Sequence, residues 1–207
     1  MNTTSRRALL IAAAVGAALL RGGEAMAAVA TGAQAPAFSA PDADGRARAL
    51  EEFRGRLVVL EWTNHGCPYV RKHYDSRNMQ TLQQEATSDG AVWLQIISSA
   101  PGEQGYLDAD GARARVATDA AHPTATLLDP SGVIGRAYGA LTTPHMFIIS
   151  PEGAILYQGA IDDRPSARPA SLEGANNYVR AALADIAAGR SVRTAQTTPY
   201  GCNVKYV

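Results

Sequence analysis

The sequence predicts an α/β sandwich built around a mixed sheet. Apolar β-rich runs alternate with segments of helical periodicity, in the order strand, helix, strand, helix, strand, strand, helix. The first half therefore predicts parallel βαβ units. The last two strands, joined by the turn 150–153, predict an antiparallel hairpin. A composition of 46% hydrophobic and 18% charged residues excludes a disordered chain and a coiled coil.

The elements follow in order from local signals. After a short extended piece and a turn over 36–45, the apolar run 57–62 predicts the first buried strand. Pro68 suits a first helical position, and apolar residues at multiples of four predict one helix over 68–87. The remaining elements are a strand over 91–98, a loop over 99–107, a helix over 109–121 capped by Asp108, a strand over 124–128, a short helix over 134–138, hairpin strands over 145–149 and 154–158, and a helix from Tyr178 to Ile186.

Length, charge and cysteine content exclude several classes of protein. The 207 residues fit one domain with short extensions. Nineteen basic and nineteen acidic side chains balance, so the chain lacks the basic surface of a general nucleic-acid binder. Two cysteines are too few for a disulfide scaffold or a four-thiolate zinc site. We therefore expect no nucleic acid and no cofactor.

Residues 1–27 have the pattern of a cleaved signal peptide. Arg6 and Arg7 precede the apolar run 8–20, and 25–27 is a small-x-small cleavage site. The run is shorter than the ~20 residues of a permanent membrane helix, so an uncleaved anchor is the weaker alternative. The paired arginines also resemble a twin-arginine export signal. We expect a periplasmic or secreted product without stable membrane association after cleavage.

Cys67 lies where the first predicted strand ends and a helix begins. Unpaired amide groups and the positive end of the helix dipole stabilise an anion there, and a thiolate is such an anion. Arg71 and Lys72 follow in the first turns, and His65 lies two positions upstream. We expect these basic side chains to tune the acidity of the thiol. The alternative is a solvated basic face that points away from the sulfur.

The pattern Trp62-x4-Cys67-Pro68 between a strand and a helix, with Thr143-Pro144 before a hairpin, resembles the thioredoxin superfamily. Residues 32–190 are similar to its redoxin branch, the alkyl hydroperoxide reductase/thiol-specific antioxidant-like domains. The resemblance implies a thioredoxin-like three-layer α/β/α sandwich with a short N-terminal extension. It also implies Cys67 as the nucleophile, Pro144 as a cis proline facing it, and Thr143 offering its backbone to an extended partner chain.

Two features depart from the family pattern. A dithiol motif needs a second cysteine at position 70, where this chain has Val70. Peroxiredoxins carry Thr or Ser three residues before the cysteine, where this chain has Asn64. Disulfide exchange and peroxide reduction therefore both remain open.

Cys202 is the second thiol, in a polar tail over 191–207 that follows the domain over 28–190. The tail could swing Cys202 to an oxidised Cys67 and resolve it as a disulfide. A static disulfide and an unpaired cysteine are the alternatives. His65 and His145 are expected to border the cleft as proton shuttles, and Tyr69 to line it.

These observations predict an exported thiol oxidoreductase that uses Cys67 on a protein thiol or disulfide or on a small peroxide. The reducing thiol donor is unidentified. A non-catalytic binding module of the same fold is one alternative. A copper-binding protein that uses thiol and imidazole ligands is another.

Overall fold

The computed structural model describes residues 29–207, so the predicted signal peptide lies outside the described range. The strands are β1 (Ser39–Pro41), β2 (Ala47–Ala49), β3 (Val58–Trp62), β4 (Val92–Ile97), β5 (Ala125–Leu128), β6 (Thr142–Thr143), β7 (His145–Ile149), β8 (Ile155–Gly159) and β9 (Cys202–Asn203). The helices are α1 (Pro68–Asp75), α2 (Asn78–Ser88), α3 (Ala109–Thr118), α4 (Val133–Tyr138) and α5 (Tyr178–Ala187), with 3₁₀ turns at Leu50–Phe53 and Pro169–Leu172.

The central sheet has five strands in the order β5–β4–β3–β7–β8. β4 runs parallel to both β3 and β5, whereas β7 is antiparallel to both β3 and β8. The predicted βαβ units and terminal hairpin are therefore confirmed, and helices cover both faces as in the thioredoxin-like sandwich. Within residues 29–207, none of the helices is long and apolar enough to cross a bilayer.

Alternation along β3 divides the core into two layers. Leu60 and Trp62 pack on one face with Phe147, whereas Val59 packs on the other face with Met146. This is the period of two that a strand imposes on its side chains. Cys67 belongs to the second layer, which α1, α2 and α5 cover. Cys67 is therefore packed within an apolar layer of the core.

The prediction of a single helix over 68–87 is wrong, because the helix is interrupted at Ser76 and Arg77. Arg77 has a φ of 63°, in the left-handed region that ends a right-handed helix. The Ser76 hydroxyl donates to the Lys72 carbonyl at 2.7 Å and so takes up one carbonyl of the last turn of α1. A new helix starts at Asn78. Apolar spacing continues across the break, which is why periodicity alone did not locate it.

Two short strand pairings were also missed. β1 pairs with β2, so the extended piece near residue 40 is one arm of a small hairpin. β6 pairs with β9, which gives the polar tail a defined place beside Thr143. Pairings of two or three residues carry little periodic signal, so local pattern does not predict them.

The break at Arg77 gives a test based on the sign of a stability change. At a left-handed residue, Arg77→Gly should be more stable than Arg77→Ala by about 1 kcal/mol, because glycine has no β-carbon to strain. In a continuous helix the order would reverse, with alanine favoured by about 1 kcal/mol. Urea unfolding of the two variants measures the difference, and a more stable alanine variant would contradict the break.

Candidate active site

Cys67 is the N-cap residue of α1 and is completely buried. Its carbonyl accepts the Arg71 amide at 2.9 Å, but its side chain does not cap the helix. Sγ instead donates to the Thr143 carbonyl oxygen at 3.1 Å. The Thr143–Pro144 peptide is cis, as the family resemblance implied. The Cys67 thiol therefore lies against the backbone beside the cis proline.

The structure brings Cys202 to Cys67. In the pairing of β6 with β9, Cys202 lies directly opposite Thr143, whose carbonyl contacts the Cys67 thiol. Cys202 also packs against the apolar layer that contains Cys67. Burial, followed by the hydrogen bond to Cys67 and the charge of Cys67, raises the pKa of Cys202 to about 12. Both cysteines are free thiols in this structure.

The tail that carries Cys202 is docked, which corrects the picture of a segment that swings in from solvent. Before the cysteine, the Thr197 hydroxyl accepts the Ala160 amide at 2.9 Å. After it, the Val204 amide donates to the Leu141 carbonyl at 3.0 Å, and the Val204 side chain is buried in the core. Anchors on both sides therefore hold Cys202 in place.

The loop that precedes Cys67 is closed by two amide side chains. Asn64 accepts the Gly66 amide at 2.8 Å and donates to the Gln104 carbonyl at 3.1 Å. The Gln104 side chain donates back to the Gly66 carbonyl at 3.0 Å. The role of Gln104 was missed, because nothing in the predicted loop 99–107 distinguishes it from its neighbours. The Asn64 amide is thus used to hold the loop.

The basic side chains of α1 do not surround the sulfur as expected. The Lys72 ammonium is buried and lies 3.2 Å from Asp162 and 2.8 Å from the Tyr200 hydroxyl. Burial lowers the pKa of Lys72, and Asp162 opposes this shift. Arg71 forms an ion pair with Asp75 on the exposed side of the helix. Carboxylates therefore neutralise both charges, which corrects the expectation of a basic cluster aimed at the thiol.

His145 does not share the cleft with Cys67, contrary to the expectation from its place after Pro144. Its ring packs 4.7 Å from Phe147, in the layer on the other face of the sheet. Met146 takes the face that contains Cys67, since neighbouring residues of a strand point in opposite directions. Burial lowers the pKa of His145 to about 4, so the imidazole is neutral at pH 7.

His65 and Tyr69 lie two residues before and two residues after Cys67 in the chain. Burial, and then the charge of Arg115, lowers the pKa of His65, which leaves this imidazole neutral as well. The Tyr69 ring meets the Tyr200 ring edge-on at 5.8 Å, so Tyr69 contacts the docked tail. Among residues 29–207, no three His, Cys, Asp or Glu side chains are grouped to hold a metal ion.

A buried acid on β3 was also missed. Glu61 accepts hydrogen bonds from the Tyr74 hydroxyl at 2.6 Å, the Trp93 indole at 2.8 Å and the Gln83 amide at 3.0 Å. Burial raises the pKa of Glu61. The signal was a single acid within the apolar run 57–62. Glu61 joins α1 and α2 to the sheet in the layer that contains Cys67.

The chain is similar in sequence to one protein family and in fold to several solved structures. The sequence model of the AhpC/TSA family matches residues 31–158, which leaves Cys202 outside the matched part. A hypothetical protein from Sinorhizobium meliloti is similar with a TM-score of 0.74 at 25% identity, over 87% of this chain and 97% of that chain. An uncharacterized conserved protein from Geobacillus kaustophilus has a TM-score of 0.74 at 24% identity, over 86% and 93%. The thioredoxin domain of a thiol-disulfide oxidoreductase from Bacteroides vulgatus has a TM-score of 0.52 at 20% identity, over 71% and 98%. No curated protein matches the sequence.

The neutral His145 predicts a loss of stability in mild acid. Its pKa of about 4 in the folded chain lies below the ordinary 6.5, so its contribution is complete above pH 6.5 and is lost as the pH falls toward 4. Between these pH values the imidazole is protonated in the unfolded chain but not in the folded one. The free energy of unfolding therefore falls by about 1.4 kcal/mol for each pH unit. Urea unfolding between pH 7 and 4 should therefore show a shallower pH dependence for His145→Phe. An unchanged slope would contradict the buried neutral imidazole.

Proposed function

The chain belongs to the AhpC/TSA family of thioredoxin-like oxidoreductases, and we propose that it is an exported enzyme that cycles between a dithiol and a Cys67–Cys202 disulfide. One observation carries the proposal. Cys202 pairs with Thr143 across two short strands, and the Thr143 carbonyl oxygen accepts a hydrogen bond from the Cys67 thiol. The two thiols are therefore neighbours through Thr143. In this proposal Cys202 takes the role of the second cysteine of a dithiol motif, whose position is occupied here by Val70.

Disulfide exchange is the reaction that we favour. The Cys67 thiolate attacks one sulfur of a substrate disulfide, which forms a mixed disulfide and releases one thiolate. The Cys202 thiolate then attacks the Cys67 sulfur, which forms the internal disulfide and releases the second thiolate. The substrate gains two electrons, and two protons complete its conversion to two thiols. A dithiol donor must return the electrons to the protein.

Peroxide reduction is the second candidate, because it is the activity for which the family is named. Cys67 would take one peroxide oxygen as a sulfenic acid and release an alcohol or water, and Cys202 would then displace water to form the same disulfide. The loop that precedes Cys67 supports disulfide exchange better than peroxide reduction. The position three residues before Cys67 carries Asn64, whose amide is committed to Gly66 and Gln104.

The cellular setting is part of the proposal. We assign residues 1–27 to a cleaved leader, 28–190 to the catalytic domain and 191–207 to the tail that supplies Cys202. The leader pattern supports export to the periplasm or beyond, where thiols oxidise readily. The partners are then thiols, disulfides or peroxides of that compartment, together with a thiol donor that keeps the pair reduced.

Mapping the disulfide tests the thiol pair. Treating the reduced protein with glutathione disulfide should yield an intramolecular Cys67–Cys202 bond, identified by mass spectrometry of unreduced peptides. Cys202→Ser should stop the reaction at a glutathione adduct on Cys67, because nothing resolves it. Cys67→Ser should consume glutathione disulfide only at the uncatalysed rate. Two free thiols after treatment would contradict the proposal.

A competition between oxidants separates the two reactions. Reduced protein mixed with glutathione disulfide should oxidise faster than with hydrogen peroxide at the same concentration, measured by stopped-flow tryptophan fluorescence. Cys202→Ser treated with peroxide and a sulfenic-acid trap should accumulate little trapped Cys67. Rapid trapping, together with slow exchange, would make peroxide reduction the function instead.

A further inference from the structure

The tail that supplies Cys202 also covers Cys67. Cys67 has no exposed surface. Cys202 and Asn203 occupy the backbone edge of Thr142 and Thr143, with which an extended partner chain would pair. An outside thiol or oxidant therefore reaches Cys67 only when this segment moves aside. The same strand pairing both supplies the second thiol and closes the site.

A buried polar cluster lies beneath the tail. The Lys72 and Asp162 side chains are 0% and 1% exposed, and their charged groups lie 3.2 Å apart. The Tyr200 hydroxyl accepts from Lys72 at 2.8 Å and donates to Asp162. Tyr200 comes from the tail, two residues before Cys202. Buried charges need a complete set of partners, so this hydroxyl ties the tail to the domain.

Gly201 allows the tail to come this close. Its φ is +148°, and a β-carbon at this position would overlap the Thr143 carbonyl group. Glycine is therefore required where the tail backbone rests on Thr143. The segment that bears Cys202 is held by a polar anchor at Tyr200 and by close backbone contact at Gly201.

We propose that Lys72, Asp162 and Tyr200 form a latch that positions Cys202 over Cys67 and sets how often Cys67 is open to outside molecules. The inference rests on the proposed function. With the latch closed, Cys202 is poised to resolve a modified Cys67, and Cys67 is shielded from other reagents. With the latch open, Cys67 meets its substrate. The three are positioning residues, since hydrogen bonds break and re-form in the latch but no covalent bond does.

Tyr200→Phe tests the latch, because it keeps the ring and removes the hydroxyl. Two rates should change in opposite directions by about tenfold, the factor expected for losing a hydrogen bond to charged groups. Alkylation of Cys67 by iodoacetamide, followed by peptide mass mapping, should speed up. Closure of the Cys67–Cys202 disulfide from a preformed Cys67–glutathione adduct should slow down. Gly201→Ala should change both rates in the same directions.

Two matched variants control for a general loss of stability. Tyr138→Phe also removes a hydroxyl, one that donates to the Pro36 carbonyl at 2.8 Å outside the tail. Gly174→Ala strains a glycine with a φ of +65° that has open space around it. Both should keep the two rates of the native chain. Equal rates in all variants, or changes that only follow the melting temperature, would overturn the latch.

The latch and the proposed function fail differently. Alkylation of Cys67 reports the cover alone and needs no turnover. A Cys67 that is shielded by the latch, in a protein that never forms the Cys67–Cys202 bond, would refute the function and leave the latch. Efficient exchange with a Cys67 that reacts equally in every variant would refute the latch and leave the function.

Discussion

The backbone pairing of β9 with β6 is the interaction on which the proposed chemistry depends. Thr143 contributes twice, through its carbonyl to the Cys67 thiol and through its register opposite Cys202. Without this pairing the two thiols would be remote in a long chain, and their meeting would carry the entropy of closing a large loop. Folding makes that closure part of the native structure. The motif can therefore lack a second cysteine while the fold still supplies one.

Helix α1 connects this site to two buried polar clusters. Cys67 is its N-cap residue. The Tyr74 hydroxyl donates a hydrogen bond to Glu61 on strand β3, and Lys72 forms an ion pair with Asp162 next to the tail. Buried polar groups strengthen one another at low dielectric, but each is costly if a partner is lost. Both clusters therefore favour one position of α1. The second cluster needs Tyr200 for completeness, which couples the helix to the tail.

Local patterns predicted the elements that bury long apolar runs and the junction that holds Cys67. They failed at three places, and only at Lys72 does a contact distant in sequence decide the outcome. The break at Arg77 interrupts an apolar spacing that continues on both sides. His145 follows Pro144 in sequence, yet strand alternation turns it to the opposite layer. Lys72 was predicted to tune the Cys67 thiol because its partner in the fold, Asp162, lies far along the chain.

The sequence by itself determined the fold class, the position of Cys67 between a strand and a helix, Pro68 at the start of that helix, and the presence of one further thiol. These features follow from hydrophobic period, turn chemistry and motif spacing, which act over a few residues. Only the tertiary structure decided that the polar tail docks, that Cys202 faces Thr143 and that Cys67 is covered. These features depend on backbone pairing and on buried ion pairs between segments that are far apart in the sequence. A local sequence pattern does not show which distant segments come together.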